Sequence, residues 1–342
     1  MVGAKGEIMS MQAATQLAAS ALLYLSVLHW VIAPAHAQSD EPIRPIPLSV
    51  QLDAKKVALG ERLFHDKRLS KDNTVACASC HPLDHGGADG ARGSTGINGA
   101  KGSINAPTVF NSGFNFRQFW DGRANSLEEQ AAGPVHNPKE MGSNWTEVLG
   151  KLSQDEALKA KFNESFPDGL QPKNIQSAIA AFERSLITPN GRFDRYLRGD
   201  KTALSDDELR GYQHFKNYGC VACHQGVNAG GNMYQVFGVM GDYFAMRGGV
   251  TESDLGRFNV TKDEADKYVF KVPSLRNVAL TAPYFHDGSA KSLGDAVDVM
   301  FRFQLGREAP QRDKEQIVKF LHTLTGEFRG QPLDRVSTVA AR

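Results

Sequence analysis

Apolar side chains recur with helical spacing in several parts of the chain. The 3.6-residue period that marks one face of a helix is present in residues 52–64, 175–186, 292–303 and 316–324. Alternating patterns typical of strands are few. The hydrophobic pattern therefore predicts a mainly α fold with long irregular connections.

Two local signals mark helix ends. Ser205 followed by Glu208 has the capping-box pattern, which predicts a helix that begins there and runs toward residue 220. Gly326 follows the last periodic segment and is predicted to be its C-cap.

Length and charge restrict the class of protein. The chain has 342 residues and a formal net charge of +1. This length suffices for two domains, which we place at residues 38–197 and 198–342. The charge is too balanced for a nucleic-acid-binding surface, so we expect no nucleic-acid partner.

Residues 1–37 have the features of a signal peptide. An apolar run over residues 18–32 precedes Ala35-His36-Ala37, which has the small-x-small form of a cleavage site. The run is shorter than the roughly 20 residues of a membrane span, which favours a cleaved signal over an uncleaved anchor. We therefore expect an exported, soluble protein that is periplasmic if the source is Gram-negative.

The four cysteines lie in two matching frames, CASCH at residues 77–81 and CVACH at residues 220–224. Each is the C-x-x-C-H signature of c-type haem attachment, in which the histidine, His81 or His224, takes one axial face of the iron. Two disulfides or a redox dithiol are alternatives in an exported chain. A histidine directly after both pairs favours two covalently bound haems.

The chain also matches itself. Three blocks repeat at a constant offset of 166 positions: residues 107–111 with 273–277, 119–122 with 285–288, and 126–127 with 292–293. A constant offset indicates a duplicated haem domain. The second copy has additional glycine-rich residues, 226–249, which we expect to form a surface loop.

The duplication singles out one methionine. Met300 lies on the helical pattern after the second repeated block, whereas its counterpart is Pro134, which has no ligand atom. Met300 is therefore a candidate sixth ligand of the second iron, with an ordinary core methionine as the alternative. Met233, Met240 and Met246 compete with it but lie in the glycine-rich insertion.

At this point the residues resemble the bacterial di-haem cytochrome c peroxidases together with the MauG-type di-haem enzymes. The resemblance runs from about residue 52 to residue 324. It is carried by CASCH, NAPTVFN, FWDGRANSLEEQAAGPVHNPKEM, CVACH and VPSLRNVALTAPYFHDGSAKSLGDAVDVM. It implies two c-type cytochrome domains with the haems near the domain interface, and an enzyme of the cytochrome-c peroxidase class.

The resemblance also implies residue roles. The peroxidatic haem would be held by Cys77, Cys80 and His81, and the electron-transfer haem by Cys220, Cys223, His224 and Met300. Trp120 would relay electrons between the haems. The alternative role is structural, as a buried aromatic side chain at the domain interface. Gln130 and Glu140 would line the open side of the first haem, with Glu140 as the acid-base group, where a solvated loop glutamate is the alternative.

Cofactors and partners follow from the same resemblance. A calcium ion would be bound by the Asn105 side chain and by the backbone carbonyls of Thr281 and Pro283. The substrate would be hydrogen peroxide, the electron donor a small c-type cytochrome or cupredoxin, and the assembly a homodimer.

The loop after the first haem motif departs from the family. In peroxidases that rest in an inactive form, this loop carries a histidine on the iron, and by its distance before NAPT that position is Ile97. An alkyl side chain cannot bind iron, so we expect an open site. The glycines at every third position from 90 to 102 indicate a flexible surface loop, and His85 and His136 are the possible substitute ligands.

Two other functions are consistent with the sequence. A MauG-like oxidase that modifies a partner protein shares the open first haem, but such enzymes have a tyrosine where this chain has Met300. A non-enzymatic di-haem electron carrier would leave the Glu140 block unexplained.

Overall fold

Helices joined by irregular segments dominate the computed structural model, which describes residues 41–334. The proposed signal peptide, residues 1–37, lies outside this range. The helices are α1 Ala54–Phe64, α2 Cys77–Cys80, α3 Leu127–His136, α4 Trp145–Leu152, α5 Glu156–Ser165, α6 Pro172–Ser185, α7 Arg192–Leu197, α8 Asp206–Asn217, α9 Tyr243–Arg247, α10 Phe258–Thr261, α11 Leu293–Val299 and α12 Gln311–His322. The predicted mainly α class is confirmed.

Strands are short and few in the described range. β1 Tyr234–Val236 pairs antiparallel with β2 Val269–Lys271, and β3 Glu327–Phe328 pairs antiparallel with β4 Gln331–Pro332. In the first pair, Tyr234 lies opposite Lys271 and Val236 lies opposite Val269. These two-residue and three-residue strands lack the length that produces a recognisable alternating pattern, which is why the sequence showed so little strand signal.

Glycines let the long helices approach closely. A Cβ atom on Gly60 of α1 would overlap the carbonyl group of Ala178 on α6. In the second half, a Cβ atom on Gly211 of α8 would overlap the carbonyl group of Gln316 on α12. Each haem motif therefore follows a helix that is packed tightly against a later helix of the same half.

The buried apolar residues form two main clusters. One surrounds α1 and α6 and includes Leu59, Phe162 and Ile175, and the other surrounds α8 and α12 and includes Tyr212 and Phe320. The described residues from Pro42 to Asp334 nevertheless pack as one unit. The domain boundary between residues 197 and 198 stays a prediction.

The same local backbone conformations recur at the offset found in the sequence. Phe119 and Phe285 both have a positive φ, 67° and 69°, in the left-handed region that non-glycine residues seldom adopt. An isolated bridge joins Gln118 to Ala124, and the equivalent bridge joins Tyr284 to Ala290. These repeats support the proposed duplication.

The capping box at Ser205 is confirmed, whereas the C-cap at Gly326 is wrong. The Ser205 hydroxyl accepts from the Glu208 N–H, and the Glu208 carboxylate accepts from the Ser205 N–H. The last long helix ends at His322 with Thr323 as its C-cap. Gly326 instead abuts the Thr188 backbone, where a Cβ atom would overlap the Thr188 carbonyl, so close chain contact explains this glycine.

The glycine-rich insertion at residues 226–249 is not the surface loop that its composition suggested. It contains β1 and α9, and its Tyr243 and Phe244 side chains are buried against Phe270 and Phe303. Aromatic side chains fix this segment to the core, and its glycines serve the turns between them. Within residues 41–334, no helix has both the length and the apolarity needed to cross a bilayer.

A buried ion pair ties the second core together. The Arg276 guanidinium donates to the Asp194 carboxylate at 2.8 Å, and both side chains are 1% exposed. Arg276 also donates to the carbonyl oxygens of Val227 and Arg44, so three chain segments meet at this side chain. Removing one partner would leave the other charge buried without a counter-ion.

We therefore expect Arg276→Met to lower the free energy of unfolding by about 3–5 kcal/mol. Arg195→Met is the matched control, because Arg195 pairs with Asp200 at the surface with half of its side chain exposed. The control should lose no more than about 1 kcal/mol. Urea unfolding of the haem-loaded variants measures both, and equal losses would contradict the assigned role of the buried pair.

Candidate functional site

The first haem motif forms a short helix with an oriented histidine. Cys77 begins α2 and Cys80 ends it, and the Ser79 hydroxyl accepts from the Ala76 N–H at 3.0 Å. The His81 Nδ1 atom lies 3.1 Å from the Gly87 carbonyl oxygen. With the proton on Nδ1 this is a donated hydrogen bond, which leaves the Nε2 lone pair for a metal. Burial lowers the pKa of His81 and favours the neutral imidazole that binds iron.

The second motif repeats this arrangement. Cys220 begins a 3₁₀ turn, Cys220–Ala222, and the His224 Nδ1 atom lies 3.3 Å from the Ala229 carbonyl oxygen. Burial lowers the pKa of His224 to about 4. Both histidines are therefore neutral at physiological pH, with one ring nitrogen held by the backbone and the other available.

The cysteines are half-buried, unpaired thiols. Burial raises the pKa of Cys220 to about 11 and also raises the pKa of Cys77 and Cys80. Such thiols are not the stabilised thiolates of a redox dithiol, whose pKa values are lowered. Each motif has the two sulfur atoms and the imidazole that covalent haem attachment requires.

One cavity of about 260 Å³ brings together most of the residues predicted to act at the second haem. Cys220, Cys223 and His224 line it, together with Met300 and Trp120. The predicted calcium ligands line the same cavity: Asn105, Thr281 and Pro283. Most of its remaining wall is aromatic and aliphatic, as a porphyrin site requires.

Met300 is the methionine that would help to hold the iron of a haem in this cavity. It follows α11 at the start of a π-helical turn, Met300–Gln304, and lines the cavity with His224. Met240 and Met246 are 62% and 51% exposed, and Met233 is not among the lining residues. The structure favours Met300 among the candidate methionines.

Trp120 connects the two halves of the chain. Its indole N–H donates to the Asn105 carbonyl oxygen at 2.9 Å, and its own carbonyl oxygen accepts from the Lys271 N–H at 2.8 Å. Its ring meets His286 edge to face with 6.3 Å between centroids. His286 is the residue that the internal repeat aligns with Trp120, so self-alignment could have identified it.

The predicted calcium ligands offer oxygen atoms of the expected kind. The Asn105 side-chain amide donates to the Ala91 carbonyl oxygen at 2.8 Å, which leaves its own oxygen available. The carbonyl oxygens of Thr281 and Pro283 flank the Ala282–Pro283 peptide bond. This donor set suits a hard cation.

A second cluster was missed by sequence reasoning. Asp254, His286 and Asp287 converge, but Arg247 donates to both carboxylates at 2.6–2.9 Å and supplies their counter-charge. His286 Nε2 lies 2.7 Å from the Asp254 carboxylate. The cluster is therefore an ion-pair network that supports the His286 ring beside Trp120. Its members are spread over forty positions, so no local motif could reveal it.

Glu140 lies beside the first motif. Its carboxylate accepts from the Asn137 amide at 2.6 Å, and burial raises its pKa. Burial raises the pKa of the Cys80 thiol too, and the nearby Glu140 charge adds to this effect. Gln130 is half-buried and lies on α3, the helix that precedes Glu140 in the chain.

The loop with the repeated glycines is anchored to Glu140, contrary to the expected free surface loop. The Ile97 N–H donates to the Glu140 carbonyl oxygen at 2.9 Å, and the Ile97 side chain is 5% exposed in the first apolar cluster. A Cβ atom on Gly96 would overlap the Lys139 and Glu140 backbone. Close backbone approach, which composition alone does not reveal, explains this glycine.

The substitute ligands proposed for Ile97 both lie at the surface. His85 and His136 are exposed, and His136 packs edge to face against Trp145 with 5.5 Å between ring centroids.

Comparison with known proteins agrees with these features. A family model described as di-haem cytochrome c peroxidase matches residues 54–202. The cytochrome c551 peroxidase of Nitrosomonas europaea is 47% identical over 84% of this chain and 85% of the relative. The chain belongs to the di-haem cytochrome c peroxidase family. This confirms both the resemblance and the predicted enzyme class, and the family implies two haems.

Two further comparisons support this membership of the family. The cytochrome c peroxidase Ccp of Escherichia coli is 52% identical over 86% of this chain, which spans only 63% of that longer protein. Among solved structures, a MauG-like protein associated with microbial copper homeostasis has a TM-score of 0.70 at 30% identity, over 84% of this chain and 93% of that one.

The contact between Gly96 and Glu140 gives a test of the loop. Gly96 has an ordinary φ of −93°, so Gly96→Ala introduces a steric clash with the Glu140 segment without backbone strain. We expect a loss of about 1–3 kcal/mol in the free energy of unfolding. Gly102→Ala is the control, because its Cβ would have only ordinary contacts, the nearest at 3.5 Å. If both variants unfold at the same urea concentration, the loop does not pack on Glu140.

Proposed function

We propose that this protein reduces hydrogen peroxide to water with electrons from a small c-type cytochrome or cupredoxin. The observation that carries the proposal is the Glu140 carboxyl, which is half-buried beside the first attachment motif and joined through its backbone to Ile97. A solvated surface glutamate would have neither feature.

Glu140 would move the proton. When bound, the first haem supplies an iron atom on which peroxide can be cleaved and which can be oxidised and reduced again. The Glu140 carboxylate would accept a proton from the near peroxide oxygen and return it to the far oxygen as water leaves. The Asn137 amide holds this carboxylate in place, and Gln130 would orient peroxide by hydrogen bonding.

Ile97 would leave the first haem open to peroxide. Its side chain is held in an apolar cluster and has no ligand atom, and both substitute histidines are exposed. These observations support an enzyme that is active without prior reduction.

The residues around the second motif would hold the haem that serves electron transfer from the donor. His224 and Met300 line one cavity, which supports their assignment as the two residues that would hold the iron of this haem. Thioether ligation raises the potential of a c-type haem, which suits acceptance from a small donor. Trp120, at the wall of this cavity and bonded to both halves, would pass electrons to the first haem.

Further properties belong to the same proposal. Asn105, Thr281 and Pro283 would bind a calcium ion next to Trp120, supported by the hydrogen bond between the Trp120 indole and the Asn105 carbonyl. We also propose a periplasmic location after removal of residues 1–37, and a homodimer.

The MauG-like oxidase is the second candidate. The likeness to a MauG-like solved structure supports it. The position of Met300 in the cavity with His224 favours the peroxidase, and so does the higher identity to relatives named peroxidases.

We expect Glu140→Gln to lower the turnover of hydrogen peroxide about 10²–10⁴-fold, because the amide cannot carry the proton. Both haems should stay attached, as measured by haem content. Glu156→Gln is the control, because Glu156 lies at the surface, where it forms an ion pair with Lys159. Wild-type turnover in Glu140→Gln would remove the acid-base assignment.

The pH profile provides an independent test of Glu140. Its base form must be present to accept the proton, and burial raises its pKa above the ordinary glutamate value. Activity should therefore fall as the pH decreases through this raised pKa, and Glu140→Gln should lack that acidic limb. A limb that persists unchanged in the residual activity of the variant would belong to another group.

A further inference from the structure

Lys271 is a buried cation in the wall of the cavity that His224 lines. It ends β2, and its backbone N–H donates to the Trp120 carbonyl oxygen at 2.8 Å. The residue is only 6% exposed. Throughout residues 41–334, no side chain or carbonyl group accepts a hydrogen bond from its ammonium group.

The other cation of this wall shows what is missing at Lys271. Each of the three nitrogen atoms of the Arg276 guanidinium donates a hydrogen bond, to Asp194, Val227 or Arg44. By contrast, the described lining residues of the cavity include no aspartate or glutamate that could pair with Lys271. Burial lowers the pKa of Lys271 to about 8, so the side chain is still mainly charged at neutral pH. An unpaired ammonium group in an apolar wall is costly unless an anion is bound beside it.

We propose that Lys271 binds a propionate carboxylate of the haem that occupies this cavity. The inference rests on the proposed function only in taking this cavity as the site of the second haem. A c-type haem brings two carboxylates on its edge, and Lys271 is the lining cation whose charge the described protein groups leave unpaired.

This pairing would make Lys271 a positioning residue for electron transfer. The side chain would hold one edge of the haem, while the backbone of the same residue is bonded to Trp120. A fixed positive charge also favours the reduced iron, because reduction adds an electron close to it. Loss of the charge should therefore lower the reduction potential of the second haem.

The test compares Lys271→Met with wild type in the haem-loaded protein. The propionates are labelled with ¹³C from labelled 5-aminolevulinate, and each haem is titrated potentiometrically. We expect Lys271→Met to shift the one-electron reduction equilibrium of the second haem about tenfold toward the oxidised form, or about 59 mV. A labelled carboxylate infrared band should also move, because its ion-pair partner is gone. Lys271→Arg should restore both signals.

Lys267→Met is the matched control, because Lys267 is near in sequence but pairs with Glu264 at the surface. It should leave the potential and the labelled band unchanged. If Lys271→Met keeps the wild-type potential and band with full haem content, the proposal is overturned. If that variant loses the second haem, Lys271→Arg decides: retention with wild-type signals supports the pairing, and the same loss overturns it.

Peroxide turnover of the wild-type protein separates this inference from the proposed function. Shifts in Lys271→Met without any wild-type turnover would remove the peroxidase and keep the pairing. Wild-type turnover, with no change of potential or infrared band in Lys271→Met, would keep the peroxidase and remove the pairing.

Discussion

Both haem motifs depend on a hydrogen bond between a histidine ring and a backbone carbonyl oxygen. His81 faces the Gly87 carbonyl and His224 faces the Ala229 carbonyl, in each case across a glycine-containing turn. This contact fixes the ring orientation and leaves the second ring nitrogen for iron. The cysteine pairs directly precede these two imidazoles in the chain, and the cavity is lined by His224 together with Cys220 and Cys223.

Around these two motifs, the cost of burying a charge determines which partner each buried charged group needs. Arg276 is buried with its carboxylate partner and holds three segments together, so its role is structural. Glu140 is half-buried beside the first motif and accepts a hydrogen bond from the Asn137 amide, and burial raises the pKa of its carboxyl, which suits the proton exchange that we propose. Lys271 is buried, and no group in residues 41–334 pairs with its ammonium group, which supports the proposed propionate partner. The same desolvation cost thus separates a structural ion pair from the proposed acid-base group and the proposed cofactor-binding group.

The parts of the fold and site that could be predicted are those with a local pattern. The long helices, the capping box at Ser205 and the haem motifs depend on neighbouring residues, and the repeat at a constant offset directs attention to Met300. The buried state of Tyr243 and Phe244, the position of Gly326 against Thr188 and the anchoring of Ile97 depend on distant chain segments. From composition alone, glycine-rich stretches are predicted to be exposed loops. Several of these glycines are instead present because a second backbone segment lies too close to leave room for a side chain.

The central claim is that the first haem is open because Ile97 stands where a ligand would be. The most direct test is the EPR and optical spectrum of the fully oxidised, calcium-loaded protein, followed by addition of peroxide without prior reduction. Our account predicts a high-spin signal from one haem and an immediate reaction. Two low-spin haems and no reaction would contradict it, because another residue would then occupy the iron.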